Sequence, residues 1–179
     1  MSDSGQTEQR RIGLLMFAIM WVVIMGVLTL AFREFWLSRY NPNQDVMTRV
    51  EGEVREVVLE ANRAHHYVAT GAINGEPVTF LLDTGATDIA VPAGVAGRAG
   101  LPEGQPVMFN TANGTARGYS TRIDRVELGG IVVRDVRGTI NPNMDERIVL
   151  LGMSFLRELE FTQRGGELIL RQQAGAGAR

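Results

Sequence analysis

The chain changes texture twice along its length. Ile12 to Phe32 is 21 residues without a single charge, bounded by Arg10 and Arg11 before it and by Arg33 and Glu34 after it. At a helical rise of about 1.5 Å per residue such a run spans roughly 30 Å, the thickness of a bilayer's hydrocarbon core. It has no polar face, which sets it apart from the buried helix of a soluble domain. The run predicts a transmembrane helix over 12–32 following an N-terminal tail over 1–11. The competing reading is a cleaved signal peptide ending near Thr29-Leu30-Ala31, but the stretch exceeds the roughly 7–15 apolar residues usual there. Residues 33–52 contain Asn41-Pro42-Asn43 and lack a sustained period, so they read as a juxtamembrane linker, with the Trp36 and Tyr40 rings at the membrane interface. A short amphipathic helix continuing the span is the alternative there.

From Glu53 the apolar stretches become short and are broken by Gly and Asn. "VREVVLEAN", "HYVATGAINGEPVTFLLD", "STRIDRVELGGIVVRDVRGTI", "RIVLLG" and "GELILRQ" are rich in Val and Ile and predict a mainly β domain over 53–172. Asn74-Gly75 has the signature of a two-residue hairpin turn, and Gly129-Gly130 and Gly165-Gly166 mark two more. Only two short helices are expected, one following Pro92 through "AGVAGRAGL" and one in "SFLRELEF" beginning near Ser154. Residues 173–179 close the chain as a tail with nothing to bury.

Composition narrows the partners. The net charge is −2, all 18 basic residues are Arg, and neither arginines nor aromatics cluster, so no basic field invites nucleic acid. The absence of Cys excludes a disulfide framework, a thiolate zinc site and a cysteine nucleophile. His65 and His66 are adjacent, and on a strand they point to opposite faces, so no metal site is expected. With only these two histidines, a serine triad around Ser120 or Ser154 has little support. No cofactor is implied.

One short stretch carries chemistry. "FLLDTGATDIAVP" places Asp83 at the end of "VTFLL", an apolar run read as buried on both sides, and a lone carboxylate at such a strand mouth is expensive to desolvate. Asp83 alone has a bland explanation as a turn cap. Its surroundings add a pattern: Asp83-Thr84-Gly85-Ala86-Thr87, an outgoing apolar stretch, and 64 residues beyond Ala86 a second apolar strand closing on Leu150, Leu151 and Gly152 before a helix.

This combination resembles the retroviral-type (retropepsin-like) aspartic proteases, and more closely the bacterial membrane-anchored members of that clan with one catalytic motif per chain. The likeness covers about Val54 to Leu170. It implies a closed β-barrel half of the acid-protease fold, with Asp83 paired across a two-fold axis with its copy in a homodimer. The two carboxylates would share one proton around a water and hydrolyse a peptide bond of a polypeptide substrate. By the same resemblance Thr84 reaches across to the opposite loop, Gly85 presents an N–H to the carboxylate, and Leu150, Leu151 and Gly152 pack beneath the loop. Ala86 offers no hydroxyl to the ionised pair where a Ser would, which implies less dependence on acid than in a pepsin-like enzyme. A covering flap is expected at Asn110, Thr111, Ala112, Asn113 and Gly114, with an ordinary exposed hairpin as the alternative. Asp88 reads as a turn cap or an Arg partner.

A short basic tail ahead of a first hydrophobic helix favours an inner-membrane, single-pass topology with the β domain in the periplasm. A second reading keeps the fold without the chemistry: a dimeric, membrane-tethered protein-binding module in which Asp83 is structural.

Overall fold

The computed structural model describes residues 4–111 and 114–173; Ala112, Asn113, the Trp36 side chain and the 174–179 tail lie outside the described residues. The chain divides into two compact units, Met1–Arg39 and Tyr40–Arg179. Helix α1 runs over Ser4–Tyr40, its last residue falling in the second unit, and its Gly13–Phe32 stretch is, among the described residues, the one helix long and apolar enough to cross a membrane. The helix therefore continues eight residues beyond the apolar run, as the alternative reading of the linker had it.

The second unit is mainly β, with strands β1 Thr48–Glu51, β2 Val54–Glu60, β3 Val68–Ile73, β4 Glu76–Leu82, β5 Ile89–Pro92, β6 Pro106–Thr111, β7 Gly114–Leu128, β8 Ile131–Asn141, β9 Val149–Leu151, β10 Glu160–Arg164 and β11 Glu167–Gln173. Two short helices interrupt them, α2 Ala93–Arg98 after Pro92 and α3 Met153–Leu156. The hairpin turns fall at Asn74-Gly75, Gly129-Gly130 and Gly165-Gly166, where Asn74, Gly75, Gly129, Gly165 and Gly166 all have positive φ. Those left-handed conformations are what tight strand reversals require.

Strands β3, β4, β9, β5, β8 and β7 follow one another in the larger sheet, β6 extends it beyond β7, and β3 also pairs with β7. That last pairing, Ala72↔Glu127 and Ile73↔Val126, closes six strands into a barrel. Closure needs a close backbone approach: a Cβ on Gly71 would collide with the Glu127 carbonyl and the Phe80 ring. Inside lie Ile73, Phe80, Ile89, Val91, Ile123, Val126, Ile140, Leu151 and Phe155, all essentially inaccessible to solvent. In the β7–β8 hairpin the buried positions switch parity, from Ile131 and Val133 to Val136 and Ile140. The left-handed backbone of Asp135 sits at the switch, where it re-aims the strand.

A second sheet runs β1-β2-β11-β10 and lays Val57, Leu59, Leu168 and Leu170 onto the same core. Residues 41–51, expected as linker, are folded into this unit. Asn41 and Asn43 are buried, and β1 pairs with β2 from Thr48↔Val57 to Glu51↔Val54. Asn43 explains why: its Nδ2 donates to the carbonyls of Glu60 (2.9 Å) and Val68 (2.7 Å), and its Oδ1 accepts the Glu60 N–H at 2.8 Å. The Asn43 carbonyl accepts the Thr70 N–H at 3.0 Å, and Asn41 caps the turn through the Asn43 N–H at 2.9 Å. One side chain thus ties the segment to both β2 and β3.

Three expectations are corrected. Helix α3 stops at Leu156, short of the reach of "SFLRELEF", because Glu160 to Arg164 pairs with β11 instead. His65 and His66 lie in a turn rather than a strand, closed by Asn62 Oδ1 accepting the N–H groups of Ala64 and His66. "VTFLL" buries one face only: Val78 and Phe80 are inside, while Thr79 and Leu81 are half-buried.

Candidate active site

The loop carrying Asp83 is held at both ends by one strand. β9 lies between the incoming β4 and the outgoing β5, parallel to β4 (Phe80↔Val149, Leu81↔Leu150, Leu82↔Leu151) and antiparallel to β5 at Ala90↔Leu150. One backbone bond then closes the loop on itself, and three sew it to the end of β9 and the chain that follows. Asp83 N–H donates to the Leu151 carbonyl at 3.2 Å, and Ala86 N–H donates back to the Asp83 carbonyl at 3.2 Å. Met153 N–H reaches the Ala86 carbonyl at 2.8 Å and Ser154 N–H the Thr87 carbonyl at 2.9 Å. The orphan donors of the α3 N-terminus are thereby satisfied by the loop itself.

Gly152 sits where these segments touch. A Cβ there would lie 2.7 Å from the Ala86 carbonyl oxygen and closer still to that of Asp88, and backbone atoms cannot swing aside as a flexible side chain can. Gly152→Ala is expected to destabilise the domain by about 1–3 kcal/mol and to displace the Asp83 loop with it. Thermal unfolding checks the first part and peptide hydrolysis the second.

Within the loop, Asp83 is half-buried and its Oδ1 accepts the Gly85 N–H at 2.9 Å. Thr84, Gly85 and Thr87 are exposed and Ala86 is half-buried, so the loop presents its tip outward and its root to β9. Leu150 and Leu151 lie in β9 beside β4, with Leu151 fully buried. Asp88 has its Oδ1 3.5 Å from Arg137, in ion-pair range but without a hydrogen bond. Among the described residues no group of three His, Asp or Glu side chains gathers to hold a metal ion.

Ser154 is a positioning residue that sequence reading set aside. Its hydroxyl accepts the Ile89 N–H at 3.2 Å and donates to the Arg137 carbonyl at 2.8 Å, fastening the start of β5 to β8. Only its place two residues after Gly152 marked it. Farther along, Arg147 holds the Asp145 carboxyl down at about 2 through side-chain and backbone hydrogen bonds. This depression stabilises the fold above the usual carboxylate range, and that stabilisation is lost progressively as the pH falls from that range to about 2.

The candidate flap lies on the β6–β7 hairpin, paired from Pro106↔Tyr119 to Thr111↔Gly114. Asn110 and Thr111 end β6 and Gly114 begins β7, while the turn between them, Ala112 and Asn113, falls outside the described residues.

Residues 69–158, half of the chain, match the profile of the family described as "gag-polyprotein putative aspartyl protease". The chain belongs to the retropepsin-like aspartic proteases. The barrel of this retropepsin-like chain is similar to the crystal structure of a retropepsin-like aspartic protease from Rickettsia conorii, at a TM-score of 0.58 and 28% identity, over 73% of this chain and 97% of that one. It is 35% identical over 70% of its length to an uncharacterized protein in the cobV 5' region of a Sinorhizobium species, and 25% identical over 79% to an uncharacterized protein of Rickettsia prowazekii. The matches span 55% and 64% of those two relatives.

Proposed function

We propose that the chain is a membrane-anchored aspartic endopeptidase whose active site forms between two copies. The observation that carries this reading is the Asp83 loop: a carboxylate oriented by the Gly85 N–H, on a loop sewn to β9, with an exposed tip. Each chain supplies one such loop, so a pair of carboxylates requires a second copy related by a two-fold axis. In this reading Thr84, exposed beside Asp83, reaches across to the opposite loop.

In the assembled site one Asp83 carboxylate takes a proton from the water lying between the pair while the water oxygen attacks the peptide carbonyl carbon. The partner's protonated Asp83 donates to the carbonyl oxygen, giving a neutral tetrahedral diol. Collapse of the diol returns a proton to the amide nitrogen, breaks the C–N bond and releases an acid and an amine. The β6–β7 hairpin serves as the flap that covers substrate and excludes water.

Residues 12–32 lie in the lipid bilayer in this reading, with 1–11 on the cytoplasmic side of an inner membrane and the β domain in the periplasm. The helix helps assembly by confining protomers to a plane and raising their effective concentration.

The test is peptide cleavage by the full chain in detergent micelles at several protein concentrations, from about pH 2 to pH 8. Activity that rises more than linearly with protein and disappears in Asp83→Asn is the expected result. Because Ala86 carries no hydroxyl to stabilise the ionised pair, activity is expected to extend toward neutral pH; a rate still climbing at about pH 2 overturns that expectation. A folded dimer equally inert with and without Asp83 transfers the assignment to a membrane-tethered binding module.

A further inference from the structure

A cavity of about 230 Å³ opens where β3, β4, α2 and the 142–148 loop meet, and no residue of the Asp83 loop lines it. Val95 and Val149, both buried, give it an apolar lining, and Thr70, Arg98, Glu146 and Arg147 stand around it. Its charges are of both signs and are held in place. Glu146 Oε1 accepts the Gly94 N–H at 3.0 Å, and a Cβ at Gly94 would strike the carboxylate, so the missing side chain makes room for it. Arg98 uses its Nε on Glu76 at 2.6 Å, and Arg147 its Nε and Nη2 on Asp145. A guanidinium has more N–H donors than these bonds take up, so both arginines keep donors for an anion, while Glu146 keeps its Oε2 for a cation.

The cavity is tied to the residues that follow the apolar helix. Thr70 Oγ1 accepts from Asn41 Nδ2 at 3.0 Å, and the Thr70 N–H donates to the Asn43 carbonyl at 3.0 Å. Tyr40, the last residue of α1, also interacts electrostatically with Arg147. Along the helix Tyr40 lies eight residues, about 12 Å, past Phe32. The headgroup layer outside a bilayer's hydrocarbon core is itself about 5–8 Å deep. With residues 12–32 in lipid, headgroups are therefore the small charged molecules held within chain reach of this cavity at high local concentration.

We propose that the cavity binds the headgroup of an aminophospholipid, in which a phosphate is linked to a primary ammonium as in phosphoethanolamine. The proposal rests on the membrane-anchored reading and adds a lipid ligand to it. Arg98 and Arg147 hold the phosphate, and Glu146 Oε2 accepts from the ammonium. At about 30 Å³ per water-sized group the cavity has room for roughly seven or eight, and phosphoethanolamine has about eight non-hydrogen atoms. A choline headgroup fits worse, because its quaternary ammonium has no N–H for Glu146 and no aromatic ring lines the cavity to receive it. A purely anionic headgroup sets its charge beside Glu146 with nothing to offset the repulsion. Arg147 stands two residues before Val149, the first residue of the strand that holds the Asp83 loop, so an occupied cavity braces that strand at its start.

The full chain is reconstituted in nanodiscs of phosphatidylcholine alone and of phosphatidylcholine with about one third phosphatidylethanolamine or phosphatidylglycerol, and hydrogen exchange is read over 94–98 and 145–149. The expected result is at least about fivefold slower exchange in both segments in the phosphatidylethanolamine discs only. Glu146→Gln, which keeps an oxygen for the Gly94 N–H, abolishes the protection, and Arg164→Ala, outside the cavity, leaves it intact. Protection that survives Glu146→Gln, or that is absent from every disc, overturns the site. Equal protection in phosphatidylglycerol discs overturns recognition of the ammonium, and equal protection from about 10 mM inorganic phosphate in phosphatidylcholine discs overturns a lipid source. Peptide cleavage is followed in the same discs. Protection without cleavage overturns the protease reading alone, and cleavage without protection overturns the headgroup site alone. A chain that does not enter the discs overturns the membrane reading and the site together.

Discussion

Asp83→Asn is expected to lower peptide hydrolysis by at least about 10³-fold while leaving thermal unfolding close to that of the wild type. The loss is large because, in the mechanism proposed above, the residue removed is the proton acceptor for the attacking water and, in the other copy, the donor to the carbonyl oxygen. The fold is spared because Asn retains a side-chain oxygen that can accept the Gly85 N–H, and the backbone bonds of Asp83 to Leu151 and Ala86 do not involve the side chain. Mixing supplies a sharper result. When wild type and Asp83→Asn exchange freely at equal amounts, only about one quarter of dimers hold two aspartates, so activity per wild-type chain falls to about half. A site complete within one chain would show no such interference.

Asn43→Ala is expected to destabilise the β unit by roughly 2–4 kcal/mol. Three hydrogen bonds of the Asn43 side chain are lost together, and the groups abandoned are strand-end carbonyls and an N–H with few alternative partners. The Asn43 carbonyl and its bond from Thr70 remain, which keeps the estimate below that for loss of the whole segment. Chemical denaturation of the full chain measures the effect. A change under about 0.5 kcal/mol means that water or a shifted Asn41 takes over the vacated groups. A domain begun at residue 45 lacks both Asn41 and Asn43 and is expected to be less stable than one begun at Tyr40.

The strand pattern and the turns were readable because their physics is local. Asn74-Gly75, Gly129-Gly130 and Gly165-Gly166 dictate reversals wherever they occur, and alternating Val and Ile mark the strands between. The pairing of the Asp83 motif with Leu150-Leu151-Gly152 was readable for a different reason: each needs small or apolar residues at fixed places, and together they form an uncommon combination. What stayed hidden depends on partners distant in sequence. Asn41-Pro42-Asn43 looks like any turn, and nothing near it says that Asn43 will bond to residues 17 and 25 positions on. Glu160 to Arg164 is equally able to continue a helix, and becomes a strand because the Gly165-Gly166 turn brings β11 against it. Ser154 was visible as a residue but not as a clamp, since its two partners lie on β5 and β8.

The position of β9 also bears on how the protein is made. Phe80 leaves the ribosome well before Val149, its partner in the parallel pairing, and the bonds from Met153 and Ser154 to the Asp83 loop come later still. Until that last stretch of the barrel has been synthesised, nothing fixes the loop's far end, so a nascent chain carries the aspartate without the geometry that would put it to use. Long-range parallel pairing of this kind is slow to form. Under the proposed function that delay acts as a timer: the geometry that would make the site competent arrives only after the rest of the domain.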